Sequence, residues 1–293
     1  MLPAELLRQV RRLQVKARRA VQSLAGGEYA AAFKGTGLAF EDVREYQAGD
    51  DVRRIDWNVT ARTGRTVLKR FVEERELTLL LAVDLSASLD FGSSGNTKRT
   101  VAAELAALLA YAAMANRDRV GFLGFTDRIE RHVKPSRGPR HTARILRDIL
   151  QYEPQHGGTD LAEVLREISR VYRRRAVVFV LSDFAGEDYA SSFRHAARQH
   201  DLIAIRIQDS FEQQWPNLGL VQLEDAETGT PLLIDTASMA FRTAYETQAA
   251  ADNEAFTKLV RGSKAEMIDV RTDGGHLDAL VEFFHRRQRR RGT

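Results

Sequence analysis

The chain has 293 residues, 43% hydrophobic and 29% charged, with a net charge of +4 and no cysteine. That length holds one large α/β domain plus an extension. The small net charge does not itself argue for nucleic acid, and the lack of cysteine excludes a disulfide framework, thiolate catalysis and a cysteine zinc site. The longest apolar stretch, Val101 to Ala115, is too short to span a bilayer and contains Glu104. Charges run through the first residues, so no signal peptide is visible. A reducing cytoplasm fits these features.

In chain order, residues 2–24 predict an amphipathic helix. Leu6, Val10, Leu13, Ala17, Val21 and Leu24 share one face, Arg8, Arg11, Arg12, Lys16, Arg18 and Arg19 crowd the rest, and Gly26-Gly27 stops it. A solvated basic face is the first reading; a membrane-surface or partner-docking helix is the sharper one. Residues 27–75 carry turns and dense charge. Gly35 and Gly37 read as turn glycines, and Asp50, Asp51 and Asp56 beside Arg44, Arg53, Arg54 and Arg62 read as local ion pairing around tight turns. Trp57 is expected to anchor this segment onto the core, and Val67–Val72 to form a strand that adds a layer to the sheet.

From residue 76 onward, strands and helices alternate. Strands are predicted at Leu77–Val83, Arg119–Phe125, Ala176–Leu181 and Leu202–Ile207, with Ile129–Val133 as a short antiparallel edge strand. Helices are predicted at Lys98–Asn116, about Thr142–Leu150, Leu161–Tyr172 and Tyr189–Gln199, with Pro135, Gly138 and Pro139 breaking the chain before the second. Residues 208–262 depart from the alternation: a hairpin of Leu218–Leu223 and Pro231–Ile234, then a helix from Phe241 to about Val260, inserted before a last strand, Glu266–Val270, and a last helix, His276–Arg290. The expected fold is α/β, a doubly wound, mostly parallel sheet with right-handed crossovers, an N-terminal helix-plus-β extension and an insertion before the last strand. The arginines at 286, 287 and 289–291 read as a solvated basic tail that suits the helix dipole.

The chemistry gathers at Asp84-Leu85-Ser86-Ala87-Ser88, where a buried strand opens into a loop. A carboxylate and two hydroxyls at alternate positions suit a hard divalent cation, and neutral hydroxyl ligands would leave it electrophilic enough to take an acidic group from another molecule. Taken alone, the same residues are equally read as caps of the following turn. Gly157-Gly158-Thr159-Asp160, opening a helix, and Leu181-Ser182-Asp183, ending a strand, could complete the site, because ligands in open α/β sheets gather beyond the carboxyl ends of strands at a switch point. Asp160 is expected to cap its helix, and Asp90 to be a turn residue.

DLSAS, GGTD and LSDF, in that order, resemble the metal-ion-dependent adhesion site of the von Willebrand factor A domain. The stretch FKGTGLAFEDVREYQAGDDVRRIDWNVTARTG, followed by VLKRFVEERELTLLLAVDLSAS, closely resembles the bacterial family called domain of unknown function 58, and the similarity runs from about Gly35 to near the C-terminus. The resemblance implies a Mg2+ (or Mn2+ or Ca2+) ligated directly by Ser86 and Ser88. Asp84 would hold a metal-bound water and orient both serines. Thr159 would ligate directly or through water, and Asp183 would act mostly through water. It also implies a partner protein that supplies an Asp or Glu, a MoxR-type AAA+ ATPase as a co-worker, and chaperone-like maturation or remodelling of other proteins. Relatives often carry membrane spans ahead of the conserved region; this chain shows none, so a cytoplasmic location, or a peripheral one at the inner face of the membrane, is expected.

A phosphatase-like hydrolase is the competing class. Haloacid-dehalogenase phosphatases need a second acid two residues after the strand-end Asp, and that position is Ser86. There is no G-x-S-x-G elbow and no H-E-x-x-H helix, so no complete catalytic constellation and no small-molecule substrate is expected. A basic adaptor for nucleic acid or a membrane surface is the third reading.

Overall fold

The computed structural model describes residues 39–47, 50–72, 77–154, 158–186, 188–224 and 230–291, with Val15, Tyr29, Ala32 and Phe33. The expected basic helix over 2–24, apart from Val15, and Gly35 and Gly37 lie outside these residues. The chain divides into two compact units, residues 33–77 and the remainder.

In the smaller unit β1 (Ala39–Glu45) pairs antiparallel with β2 (Val67–Val72), and between them lie a 3-10 turn at Val52–Arg54 and a short helix α1 (Trp57–Thr63). The acids here act as caps. Asp51 accepts from the Arg53 N–H at 3.0 Å, and Asp56 accepts from the Asn58 and Val59 N–H groups at 3.0 and 3.2 Å, satisfying donors that a helix start leaves without partners. Trp57 does not anchor a core: it is 67% exposed, and α1 buries none of its residues. β2 hydrogen-bonds to β1, and the two make a sheet of their own.

The larger unit is built on a six-stranded sheet in the order β10-β7-β6-β3-β4-β5. Its strands are β3 (Thr78–Asp84), β4 (Arg119–Phe125), β5 (Ile129–Ser136), β6 (Val177–Ser182), β7 (Asp201–Gln208) and β10 (Glu266–Arg271). All pairings are parallel except that of β5, which turns back on β4 as the antiparallel edge. The continuous apolar runs of β3 and β6 follow from their central place, with both faces covered. The steps from β3 to β4 and from β6 to β7 run in opposite directions along the sheet. Right-handed crossovers therefore put α2 (Lys98–Ala115) and α5 (Ala190–Gln199) on opposite faces. Leu80 and Ala82 of β3 pack with Leu161, Leu165 and Ile168 of α4 (Leu161–Val171) and with Phe193 of α5, as the two-residue period of a strand requires. α2 is buried almost throughout, which accounts for its run of alanine and leucine.

The helix α3 (Pro139–Gln151) begins earlier than expected, because Pro139 occupies the first helical turn rather than ending a loop. The insertion contains the antiparallel pair β8 (Leu220–Glu224) and β9 (Pro231–Asp235) and the helix α6 (Met239–Arg261), whose Phe256 and Val260 enter the core beside α5. The last helix, α7 (His276–Arg291), carries one arginine that is not a solvated tail residue. Arg287 is 3% exposed, donates to the Ala32 carbonyl at 2.9 Å, and pairs with Asp201 and Glu266 at the first residues of β7 and β10. Among the described residues, no helix is long and apolar enough to cross a membrane.

Candidate metal centre

β3 and β6 are hydrogen-bonded neighbours on either side of the point where the sheet's winding reverses, and the crevice beyond their carboxyl ends is where such folds place ligands. Asp84 ends β3 and is fully buried. Its Oδ1 accepts from the Ser86 N–H at 2.9 Å, and its Oδ2 accepts from the Ser182 hydroxyl at 2.7 Å. One carboxylate thus ties the turn after β3 to the last residue of β6. Ser182 Oγ in turn accepts from the Phe184 N–H at 3.0 Å, shaping a turn in which Phe184 adopts φ of 57°.

Ser86 begins a 3-10 turn at Ala87–Asp90, but its hydroxyl does not cap that turn. It faces the Ser88 hydroxyl at 3.1 Å, and Ser88 Oγ donates to Asp183 Oδ2 at 2.9 Å. Neighbouring oxygens around a Mg2+ with bonds of about 2.1 Å lie about 3.0 Å apart in an octahedron. The spacing of the two hydroxyls therefore matches one edge of such a shell. The residues fit a hard cation: two neutral oxygens side by side, one carboxylate against them and another behind. Among the described residues no group of three or more His, Cys, Asp or Glu converges to hold a metal, so any ion here depends on the hydroxyls.

Thr159 is half-buried on the short loop that enters α4. The Asp160 N–H donates to the Thr126 carbonyl at 3.0 Å, which fastens this loop beyond the end of β4, and the Asp160 carboxylate caps α4 through the Glu163 N–H at 2.8 Å. The loop therefore reaches the same end of the sheet. Among the described residues, however, Thr159 makes no hydrogen bond to Asp84, Ser86, Ser88 or Asp183, which the structure does join in one network. Asp90 pairs with Arg99 through bonds of 2.5 and 3.0 Å and stays largely exposed.

Sequence reasoning missed two members of the network, Lys98 and Glu212. The chain after Ser88 doubles back so that the Lys98 N–H meets the Phe91 carbonyl at 2.9 Å. Gly92 permits the return, since a Cβ there would stand 2.0 Å from the Asn96 carbonyl oxygen. Lys98 is almost wholly buried, with Nζ at 2.7 Å from Asp183 Oδ2 and 2.5 Å from Glu212 Oε1. Glu212 is held by a capping box: its Oε2 accepts from the Asp209 N–H at 2.9 Å, while Asp209 Oδ1 accepts from the Phe211 N–H at 3.0 Å. Two signals in the sequence point to these residues. A lysine at the first position of a helix opposes the helix dipole, and Asp-x-x-Glu after a strand is a capping pattern.

Burial opposes the charge on every member, and the network decides which charges survive. Burial works against the Lys98 ammonium, but Asp183 and Glu212 outweigh it and hold its proton above the usual lysine range. Burial likewise opposes ionisation of Asp183, but the Lys98 charge and hydrogen bonds from Lys98, Ala185 and Ser88 keep its carboxyl below the usual range. In Glu212 burial outweighs the same ammonium and the carboxyl stays high. Burial and the Asp183 charge push Asp84 up to about 6, against the hydrogen bonds from Ser86 and Ser182 that pull it down.

Asp84 binds its proton more tightly in the folded than in the unfolded chain. Its contribution to stability is therefore full below about pH 4 and is lost as the pH rises through about 6. Urea titrations of wild type and Asp84→Asn in EDTA should show the wild type losing on the order of 2 kcal/mol relative to the variant between about pH 4.5 and 7.5. Parallel profiles would contradict the assignment.

Beside Asp183 the surface opens into a groove of about 920 Å³, lined by Phe184, Tyr189, Tyr245, Gln248 and Asn253 among others. It runs along α6, so the insertion forms one wall.

Residues 42–255 match the family described as protein of unknown function DUF58. The chain belongs to the DUF58 family. Uncharacterized proteins of Mycobacterium tuberculosis and Mycobacterium bovis are each 32% identical to it over 285 residues, covering 96% of this chain and 89% of theirs. Among solved structures, the conserved hypothetical protein BatB from Bacteroides thetaiotaomicron covers 73% of this chain and 99% of its own at 13% identity and a TM-score of 0.48. An aerotolerance-related membrane protein from Bacteroides fragilis covers 72% and 99% at the same identity and TM-score.

Proposed function

We propose that this DUF58 protein is a von Willebrand factor A-like, metal-ion-dependent protein-binding module. Ser86 and Ser88 would hold a Mg2+ (or Mn2+ or Ca2+) to which a partner protein presents an Asp or Glu side chain. The observation that carries the reading is the pair of hydroxyls 3.1 Å apart at the switch point, with Asp84 behind them and Asp183 against Ser88. A bound ion would supply an electrophilic position for the incoming carboxylate. The chain's own residues do the rest. Asp84 fixes the Ser86 backbone and locks β3 to β6 through Ser182. Asp183 supplies charge beside Ser88, and Thr159, on the loop at the same end of the sheet, would complete the shell. The groove along α6 offers room for residues flanking the partner's acid.

A binding role fits this arrangement better than hydrolysis. Asp84, the carboxyl pushed toward neutrality, is fully buried behind Ser86 and Ser182 and cannot meet a substrate. The resemblance of the motifs points to a MoxR-type AAA+ ATPase as the co-worker and to chaperone-like maturation or remodelling in the cytoplasm or at the inner membrane face. The test is capture on immobilised protein of a MoxR-type ATPase from the same organism, in Mg2+ and in EDTA, with wild type and Ser86→Ala/Ser88→Ala. Retention only by wild type in Mg2+ is expected. Equal retention in all four samples would move the contact away from the serines and sink the reading.

A further inference from the structure

Lys98 has no part in that reading, yet its charged side chain lies almost wholly buried at the site. Its side chain is 1% exposed and its ammonium touches two carboxylates, Asp183 and Glu212. A buried ammonium is tolerated only when it is paired, so the two acids and the lysine form one unit. The Asp183 oxygen that accepts from Lys98 also accepts from the Ser88 hydroxyl. The negative charge that a divalent ion beside Ser88 would draw on is therefore already engaged by a cation belonging to the chain.

We infer that Lys98 is a built-in cation of the site, balancing Asp183 and Glu212 when no metal is bound and competing with the divalent ion for Asp183. This deepens the metal-dependent reading and rests on it. Lys98 must release that oxygen before Asp183 can turn its full charge to an ion, and Glu212 gives the ammonium a second partner to stay with. Glu212 is fixed to Asp209, at the start of the insertion. The residues that accommodate the released lysine thus lie next to the groove wall that a partner would touch. On this account the protein folds without metal and binds the ion weakly until something favours the released lysine. A partner carboxylate on the ion would do so by adding to its hold on the site.

The test is a titration of free Mn2+, read by electron paramagnetic resonance, against wild type, Lys98→Met, and Lys98→Met combined with Glu212→Gln. The double variant removes one positive and one negative charge, so its net charge at the site equals that of wild type. It also removes one of the two acids that the single variant leaves without the ammonium, which could otherwise unfold it. Both variants are expected to bind Mn2+ about tenfold or more tightly than wild type, and Mg2+ is expected to raise their thermal midpoints more than that of wild type. Tighter binding by the single variant alone would mean that net charge, not competition for Asp183, sets the affinity, and would overturn the inference. Equal affinities in all three proteins would overturn it while leaving the metal site standing. No binding by any of them, with folding shown by circular dichroism, would overturn both.

Discussion

Asp209→Ala is expected to destabilise the protein by about 3–5 kcal/mol, because a buried acceptor of several bonds is removed at once. Asp209 is fully buried at the end of β7. Its carboxylate accepts from the Ser93 N–H at 2.9 Å, the Ser93 hydroxyl at 2.6 Å, the Phe211 N–H at 3.0 Å and the Thr272 hydroxyl at 2.5 Å. Burial opposes its charge, but these bonds hold the carboxyl below the usual range, so its contribution is present at neutral pH and is lost as the pH falls through that lowered value. Asp209→Asn keeps one accepting oxygen and should lose about half as much. Beyond stability, the variant unfastens the loop that returns from Ser88 to Lys98. Amide hydrogen exchange at Ser93 and its neighbours should therefore rise more than in the strands. A loss below about 1 kcal/mol in urea, with exchange unchanged, would show that Asp209 does not hold the loop.

Arg287→Met is expected to cost about 3 kcal/mol, toward the lower end for breaking a buried pair, since Asp201 and Glu266 keep some access to water. The guanidinium closes the amino-end side of the sheet, joining the first residues of β7 and β10 to α7 and to the Ala32 carbonyl. Its removal takes one charged partner from each of two carboxylates and a donor from one carbonyl, while methionine restores most of the packing volume. For a chain of this size the thermal midpoint should fall by about 5–10 °C. Because the site lies at the opposite, carboxyl end of the strands, Mn2+ affinity should not change in the variant below its transition. A midpoint within about 2 °C of wild type would mean that Arg287 is solvated after all.

The architecture was legible because nearly every element in the larger unit obeys a simple period. The apolar runs at Leu79–Val83 and Val177–Leu181 are short and each ends at a polar residue, as strands buried on both faces do, and the amphipathic stripe of Leu161, Val164, Leu165 and Ile168 has the period of a helix with one face on a core. Where the reading failed, one residue had two physical roles. Pro139 ends a helix or starts one, and here it starts one. Trp57 has the bulk of an anchor, but its short helix has no buried face and leaves it exposed. Arg287 sits among other arginines late in a helix; it continues the buried face of Leu280, Phe283 and Phe284 at helical spacing, a stripe that the run of arginines masks.

The site was legible in part for the same reason. Asp84, Ser86 and Ser88 are adjacent in sequence, and Asp183 ends a strand whose place beside β3 follows from the winding of the fold. Lys98 and Glu212 reach Asp183 only through tertiary structure. The loop at Gly92 folds Lys98 back, and the capping box after β7 aims Glu212 at it. The signals at the two positions, a lysine at a helix start and a capping acid, mark helix ends and not a place in the site, and the electrostatics of the centre changes once a lysine is counted among its ligand-facing groups.

The most direct test of a divalent ion at Ser86 and Ser88 is anomalous diffraction from crystals soaked in MnCl2 with acetate as a stand-in for a partner's carboxylate. The account predicts one Mn2+ peak within bonding distance, about 2.2 Å, of both hydroxyl oxygens, with Lys98 Nζ moved away from Asp183. A peak elsewhere on the protein, or none at these serines while Lys98 keeps its place, would contradict it.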